Sequence, residues 1–231
     1  VNSVAVISTG GDRFCTGFMV NNTSNDGTPF FMTANHCRLT QSNAPTLVAY
    51  WNYQTSKCGG ARDGKLNQFQ TGAVHLASYA KSDMTLLKLN SAPNPEWHVN
   101  FAGWDRSGEI ASSAVGIHHP NVDEKSISFE NDPTEINTYL GTGATPGDGT
   151  HVRIVDWDNG TTEPGSSGSP LFDQNHRVIG QLHGGGAACE NEESDYYGRF
   201  FTSWNGGGTK TTSLKSHLDS ANTGAQFVDT L

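Results

Sequence analysis

Short apolar or alternating runs, each closed by turn chemistry, recur along the chain. Val4–Ile7, Phe14–Val20, Phe30–Thr33, Leu47–Tyr53, Ala73–Ser78 and Met84–Leu89 read as strands. Between them lie Thr9–Gly11, Asn21–Gly27, Gln41–Pro45, Gly59 with Gly60, and Asp63–Gly64, all turn or loop sequences. After Gly103 the rhythm resumes with Ala114–His118, Val152–Trp157, Leu171–Phe172, Val178–Leu182 and Phe200–Trp204. Pro93 and Pro95 mark a crossing between two halves. The one helical pattern runs from Thr211 to Leu218, with Leu214 and Leu218 on one face. The pattern predicts an all-β protein: two antiparallel β-barrels of about six strands each and a short C-terminal helix. The halves are expected at residues 1–105 and 106–231. Neither is long enough to enclose a wide cavity, so a site belongs at their junction.

Composition sharpens this picture. The chain has 231 residues and 27 glycines, and only 16% of it is Asp, Glu, Lys or Arg. Strong helix-forming stretches are scarce, which again favours β structure with many turns. The formal net charge of −9 argues against nucleic acid and anionic membranes as partners, since both need a basic footprint. No apolar run reaches the roughly 18–20 residues that span a bilayer. The sequence does not open on a basic and then apolar leader, so any export signal is expected to have been removed already or to lie outside it. The four cysteines, Cys15, Cys37, Cys58 and Cys189, contain no Cys-x-x-Cys. In an exported chain an even count suggests two disulfides.

Three stretches carry candidate chemistry. Thr162 to Leu171 holds a Gly-x-Ser-Gly turn ahead of an apolar strand. Such a turn exposes one hydroxyl and aims neighbouring backbone N–H groups at one spot, where an oxyanion could form. A Ser/Gly-rich surface turn is the plainer alternative. Phe31 to Cys37 is an apolar strand ending in His36, with Cys37 able to staple the turn to Cys15. Immobilising an imidazole is what a general base requires. Ser82 to Leu89 is an apolar strand opened by Asp83, whose partly buried carboxylate needs a partner. Each of the last two also fits an ordinary strand end. Together, in the order His36, Asp83, Ser167, they supply base, orienter and nucleophile.

These motifs resemble the trypsin-like serine peptidases, and more closely the bacterial lysyl endopeptidases. The resemblance runs over nearly the whole chain. It includes Cys15-Thr16-Gly17, Tyr50 to Gln54, Ala102 to Arg106, Ile117 to Val122, Glu163 to Pro170, Gln181 to Gly185, Tyr197 to Arg199 and Phe201 to Trp204. It implies a secreted, extracellular, monomeric endopeptidase without cofactor or metal. Its partners would be polypeptides cut on the carboxyl side of lysine through an acyl-enzyme. It further implies His36 as base, Asp83 as orienter, Ser167 as nucleophile, the Gly165 and Ser167 amides as oxyanion hole, and Asp195 as the lysine-recognising carboxylate. Read alone, Asp195 is a loop aspartate beside Glu190, Glu192 and Glu193. Cleavage after both Arg and Lys is the neighbouring alternative, and an inactive binding module on the same fold the distant one.

Three departures from the family pattern stand out. Ser166 stands where digestive trypsins carry an aspartate. The family has a longer N-terminal segment with two cysteines, and Cys58 and Cys189 match the partners of those two. They are expected to pair with each other if the fold brings their Cα atoms within about 7 Å; two free thiols are the alternative. The family also stacks a tryptophan on the residue here numbered His183. In this chain Tyr139 or Leu140 falls near that place and Trp157 on the neighbouring strand. His118, His119 and Asp123 could ligate a metal, but a structural role is the reading preferred.

Overall fold

The computed structural model describes residues 1–141 and 145–231. The first half of the chain forms β1 (Val4–Thr9), β2 (Asp12–Met19), β3 (Phe30–Ala34), β4 (Leu47–Trp51), β5 (Phe69–Thr71), β6 (Ala73–Tyr79) and β7 (Met84–Leu89). They pair antiparallel in the order β5-β4-β1-β2-β3-β7-β6. The second half forms β8 (Trp104–Asp105), β9 (Ala114–His118), β10 (Ser126–Glu130), β11 (Glu135–Asn137), β12 (His151–Ile154), β13 (Pro170–Asp173), β14 (Val178–Gly185), β15 (Asp195–Arg199) and β16 (Phe227–Val228). Its path is β10-β9-β13-β14-β15-β12-β11, with β8 joining β14 to β16. Two short helices, α1 (Phe200–Asn205) and α2 (Lys215–Leu218), follow β15.

The all-β, two-part architecture agrees with the periodicity, with instructive differences. The sheets have seven and nine strands instead of about six each. The end strands of the first sheet, β5 and β6, are joined through Gly72 but do not pair, so that sheet is curled and open. Strand β8, which ends at Asp105, pairs with β14 and β16 of the second sheet. Phe200–Trp204 is helical, not extended: Phe200 and Trp204 lie four residues apart and are buried, while Phe201 is exposed. That is the one-faced spacing of a helix. The later helix is confined to Lys215–Leu218, and Leu214 and Leu218 do share a buried face.

Three apolar clusters hold these elements. Ile7, Met19, Phe31, Leu47, Trp51 and Leu87 fill the first sheet. Ile154, Leu171, Leu182 and Tyr197 lie within the second. A third cluster spans the seam, joining Phe18, Met32 and Met84 to Trp104, Phe200 and Trp204. The Trp104 ring stacks on Phe200 at 5.4 Å and lies 4.7 Å from Trp204. Each large side chain withdrawn from water there contributes about 1.5–3 kcal/mol. The halves are therefore fixed against each other by the same apolar burial that fixes each sheet.

The end of β9 buries two imidazoles, His118 and His119. Burial pulls the pKa of His118 down to about 4. Burial, helped by Lys125, pulls His119 down to about 3. Below about pH 6.5 the unfolded chain takes up protons that the folded chain refuses, so stability falls as pH drops from about 6.5 towards 4. Each such unit costs about 1.4 kcal/mol per histidine. Urea midpoints measured from pH 7.5 to 4.5 should decline steadily. A midpoint flat to pH 4.5 would assign acid unfolding to the carboxylates alone.

Candidate active site

The imidazole is placed by a short 3-10 turn, Asn35–Cys37, that ends β3. Cys37 is bonded to Cys15 of β2, closing a loop of 22 residues at the base of that turn. Asp83 follows a second 3-10 turn, Ala80–Ser82, and adopts the left-handed conformation with φ 53°. Its side chain is only 2% exposed. One carboxylate oxygen accepts from the His36 backbone N–H at 2.8 Å, and the other from His36 Nδ1–H at 2.7 Å. The Asn35 N–H donates to the Asp83 carbonyl at 2.7 Å. The same aspartate thus holds both the backbone and the ring of the histidine through N and Nδ1, and Nε2 is not used in either contact.

The serine turn docks on this unit from the second sheet. The Thr16 N–H donates to the Ser167 carbonyl at 2.8 Å. Thr16 Oγ1 donates to the Gly165 carbonyl at 2.9 Å, and Thr33 Oγ1 to the Thr16 carbonyl at 2.8 Å. Gly168, at φ 83°, sits so close that a methyl group would overlap Thr33 and the Thr16 carbonyl. On the other side Gln181 donates to the carbonyls of Ser82 and Asp83 at 2.7 and 3.1 Å. Gly165 has φ 97°, and among the described residues neither its amide nor that of Ser167 donates to a protein partner. Ser167 Oγ likewise makes no hydrogen bond there, to His36 or any other group; such contacts often tighten only when substrate binds.

Ser166 explains how the turn is held without a trypsin-like aspartate. Ser128 Oγ donates to the Thr161 carbonyl at 3.1 Å, so it accepts from His118 Nε2–H at 2.9 Å. His118 Nδ1 then accepts from the Ser166 hydroxyl, also at 2.9 Å. Both ring nitrogens of His118 are thus engaged by protein groups. His119 Nδ1–H donates to the Asp123 carbonyl at 2.7 Å, and its ring stacks on Tyr53.

Asp195 opens β15 and is 1% exposed, not a solvated loop residue. Its Oδ2 accepts from Trp157 Nε1–H at 2.8 Å and from Thr162 Oγ1–H at 2.7 Å. Oδ1 is buried and, among the described residues, has no hydrogen-bond partner. Burial raises the carboxyl pKa above its usual value, against the two hydrogen bonds. Strand β12 ends at Ile154, short of the expected Trp157, and that early end turns the indole onto Asp195.

Next to the imidazole, His183 stacks on His36 with ring centres 5.4 Å apart. Its far face is covered by Tyr139 at 3.6 Å and 7°. The aromatic partner left open between Tyr139 and Leu140 is therefore the tyrosine. His183 Nε2 lies 3.8 Å from Asp83 Oδ2. The residues that sequence reading missed are Thr162, Trp157 and His151 as polar partners. No local signal marks them, because each acts through a side chain far away in sequence.

The pairing expected of Cys58 and Cys189 is not made: both are free and exposed. Cys58 sits in the loop between β4 and β5, Cys189 in that between β14 and β15. They belong to loops of different sheets, and nothing in either loop draws the two thiols together. Buried Glu130 and exposed Asp132 and Asp158 bring carboxylate oxygens within 4.8 Å of one another. Backbone N–H groups of Asp132 and Asn131 already cap two of these carboxylates.

Known proteins place this geometry in a family. The family model described as "Lysyl endopeptidase, C-terminal domain" matches residues 1–198. The lysyl endopeptidase of Pseudomonas aeruginosa is 34% identical over 204 residues, 83% of this chain. The chain spans 42% of that relative's length. Among solved structures, the HtrA-type protease AlgW with a tripeptide aligns with a TM-score of 0.56 at 16% identity, covering 86% of this chain and 56% of that one. The Rv3671c protease of M. tuberculosis, in its inactive form, aligns at 0.51 and 18%, covering 86% and 83%. At such identities these two bear on fold alone. By the family match and the curated relative, this chain belongs to the lysyl endopeptidase family, on a trypsin-like protease fold.

Proposed function

We propose that this chain is a serine endopeptidase that cuts polypeptides on the carboxyl side of lysine. Ser167 attacks the scissile carbonyl carbon while His36 Nε2 takes the hydroxyl proton. Asp83 orients the ring and offsets its positive charge. The Gly165 and Ser167 amides receive the oxyanion. The leaving amine takes the proton from His36, and water then cleaves the acyl-enzyme by the same route. The disulfide and the polar, weakly charged composition support an extracellular place of work.

The observation that carries the lysine assignment is the lone Asp195 Oδ1, buried without a partner among the described residues, beside an Oδ2 already engaged twice. A single free carboxylate oxygen suits the point charge of an ammonium. A guanidinium fork asks for two parallel acceptors, and here one is occupied. A neutral side chain would leave Oδ1 desolvated and unpaired, which opposes its binding.

Three substitutions test this reading with matched peptides differing only in Lys, Arg or norleucine before the cut. Ser167→Ala should lower turnover by about 10⁶ with little change in folding. Asp195→Asn should lower kcat/KM for the lysine peptide by at least about a hundredfold while an ester substrate still acylates Ser167. Thr162→Val frees one bond to Oδ2 and should narrow the lysine-over-arginine ratio. Equal wild-type rates on Lys and Arg peptides would replace the lysyl reading by a general trypsin-like one. Because burial raises the Asp195 carboxyl, lysine selectivity should also fade as pH drops into the acid range, where that group takes a proton.

A further inference from the structure

Behind His183 runs a chain of hydrogen bonds that leads away from the seam. His183 Nδ1 lies 3.0 Å from His151 Nε2. His151 Nδ1 lies 2.8 Å from Thr150 Oγ1, and Thr150 Oγ1 lies 2.7 Å from Asp148 Oδ1. The direction of each bond follows from counting protons. An ionised carboxylate only accepts. Burial alone would raise the Asp148 carboxyl, but hydrogen bonds from Thr150 and Thr138 hold it below its usual value. The single Thr150 hydroxyl proton therefore goes to Asp148, and its oxygen must accept from His151 Nδ1–H. His151 is neutral at working pH, since burial and the neighbouring His183 pull its pKa down to about 4. Its one N–H is committed to Thr150, so Nε2 is a bare lone pair. The contact to His183 is then a hydrogen bond only if His183 donates from Nδ1.

We propose that Asp148, Thr150 and His151 form a tautomer lock that keeps the neutral His183 ring protonated on Nδ1, so that the Asp83 carboxylate is reserved for His36. This rests on the reading of His36 as the catalytic base. The lock matters because His183 Nε2 faces Asp83 Oδ2 at 3.8 Å, the same oxygen that His36 Nδ1–H uses. With the proton on Nδ1, the neutral ring has nothing to donate to that oxygen. With the proton on Nε2 the ring would aim a positive N–H at that oxygen, stabilise the carboxylate's charge in competition with His36 and make His36 a weaker base. Stacking between His36 and Tyr139 prevents the ring from turning out of the contact. The titratable groups facing His183 are His36 and Asp83 from the first sheet, and Tyr139 and His151 from the second. Asp148 acts on it through His151. His151 is thus a positioning residue, acting through His183 and Asp83.

The test is nitrogen-detected NMR of the histidine rings in the whole chain at pH 7.5, read beside the pH profile of kcat/KM. In the wild type, His183 should carry its proton on Nδ1. His151→Phe removes the acceptor, and Thr150→Val lets His151 move its own proton to Nε2. Both should transfer the His183 proton to Nε2. Both should lower kcat by about tenfold at constant KM, the scale of one hydrogen bond, and move the acid limb of the profile to lower pH. His151→Gln, whose carbonyl oxygen can accept from His183, should recover most of the loss. A wild-type His183 protonated on Nε2 would overturn the inference, as would an unchanged tautomer in Thr150→Val. A wild type that shows the Nδ1 tautomer but hydrolyses no peptide would instead overturn the peptidase reading.

Discussion

A carboxylate withdrawn from water must be compensated by donors, and Asp83 is where this fold meets that demand. Its donors come from the histidine turn, and its own main chain is gripped from the opposite sheet by Gln181. The residue is also in a left-handed conformation, which costs energy for any side chain with a Cβ. The surrounding structure holds it there because two 3-10 turns, a disulfide and the seam meet at this point. Loosening any of them would leave a buried charge without its partners. The serine turn is then fixed to the same frame through Thr16, whose amide and hydroxyl both bind it.

The site illustrates a division of labour between charge and tautomer. Asp83 and Asp195 are both buried aspartates, but their partners differ. Asp83 has donors on both oxygens, one from the His36 main chain and one from its ring. Among the described residues Asp195 has two donors crowded on one oxygen and none on the other. One carboxylate is completed by the protein; under the proposed lysine specificity the other would be completed by a substrate's ammonium. Around them, His118, His151 and His183 are held neutral chiefly by burial, so their ring protons rather than their charges carry information.

Much of this was legible in the chain. Alternation and turn residues gave β1, β2, β3, β4, β6 and β7 to within about two residues at either end, because those strands are bounded by turn residues, but missed the edge strand β5, whose three residues are too few to show a period. The His36–Asp83 contact and the Cys15–Cys37 bridge could be read because each of these residues sits in a motif with local chemistry. Phe200–Trp204 misled because five residues with three aromatics satisfy strand and helix patterns alike. Strand β15 was missed because Asp195–Arg199 lies beside an acidic loop and has no alternation, being buried throughout. Cys58 and Cys189 misled because an even count suggests pairing, while pairing depends on where two loops end. Trp157, Thr162 and His151 could not be found from sequence, since their meaning lies in partners between 32 and 38 residues away.

The central claim is that three groups from two sheets act as one reactive unit in the folded chain. Treating native protein with a fluorophosphonate and mapping the adduct by mass spectrometry tests it most directly. The account predicts one equivalent of label, on Ser167, abolished when the protein is first unfolded or when His36 is replaced by Ala. Native protein that stays unlabelled, or takes the label on another residue, would contradict it.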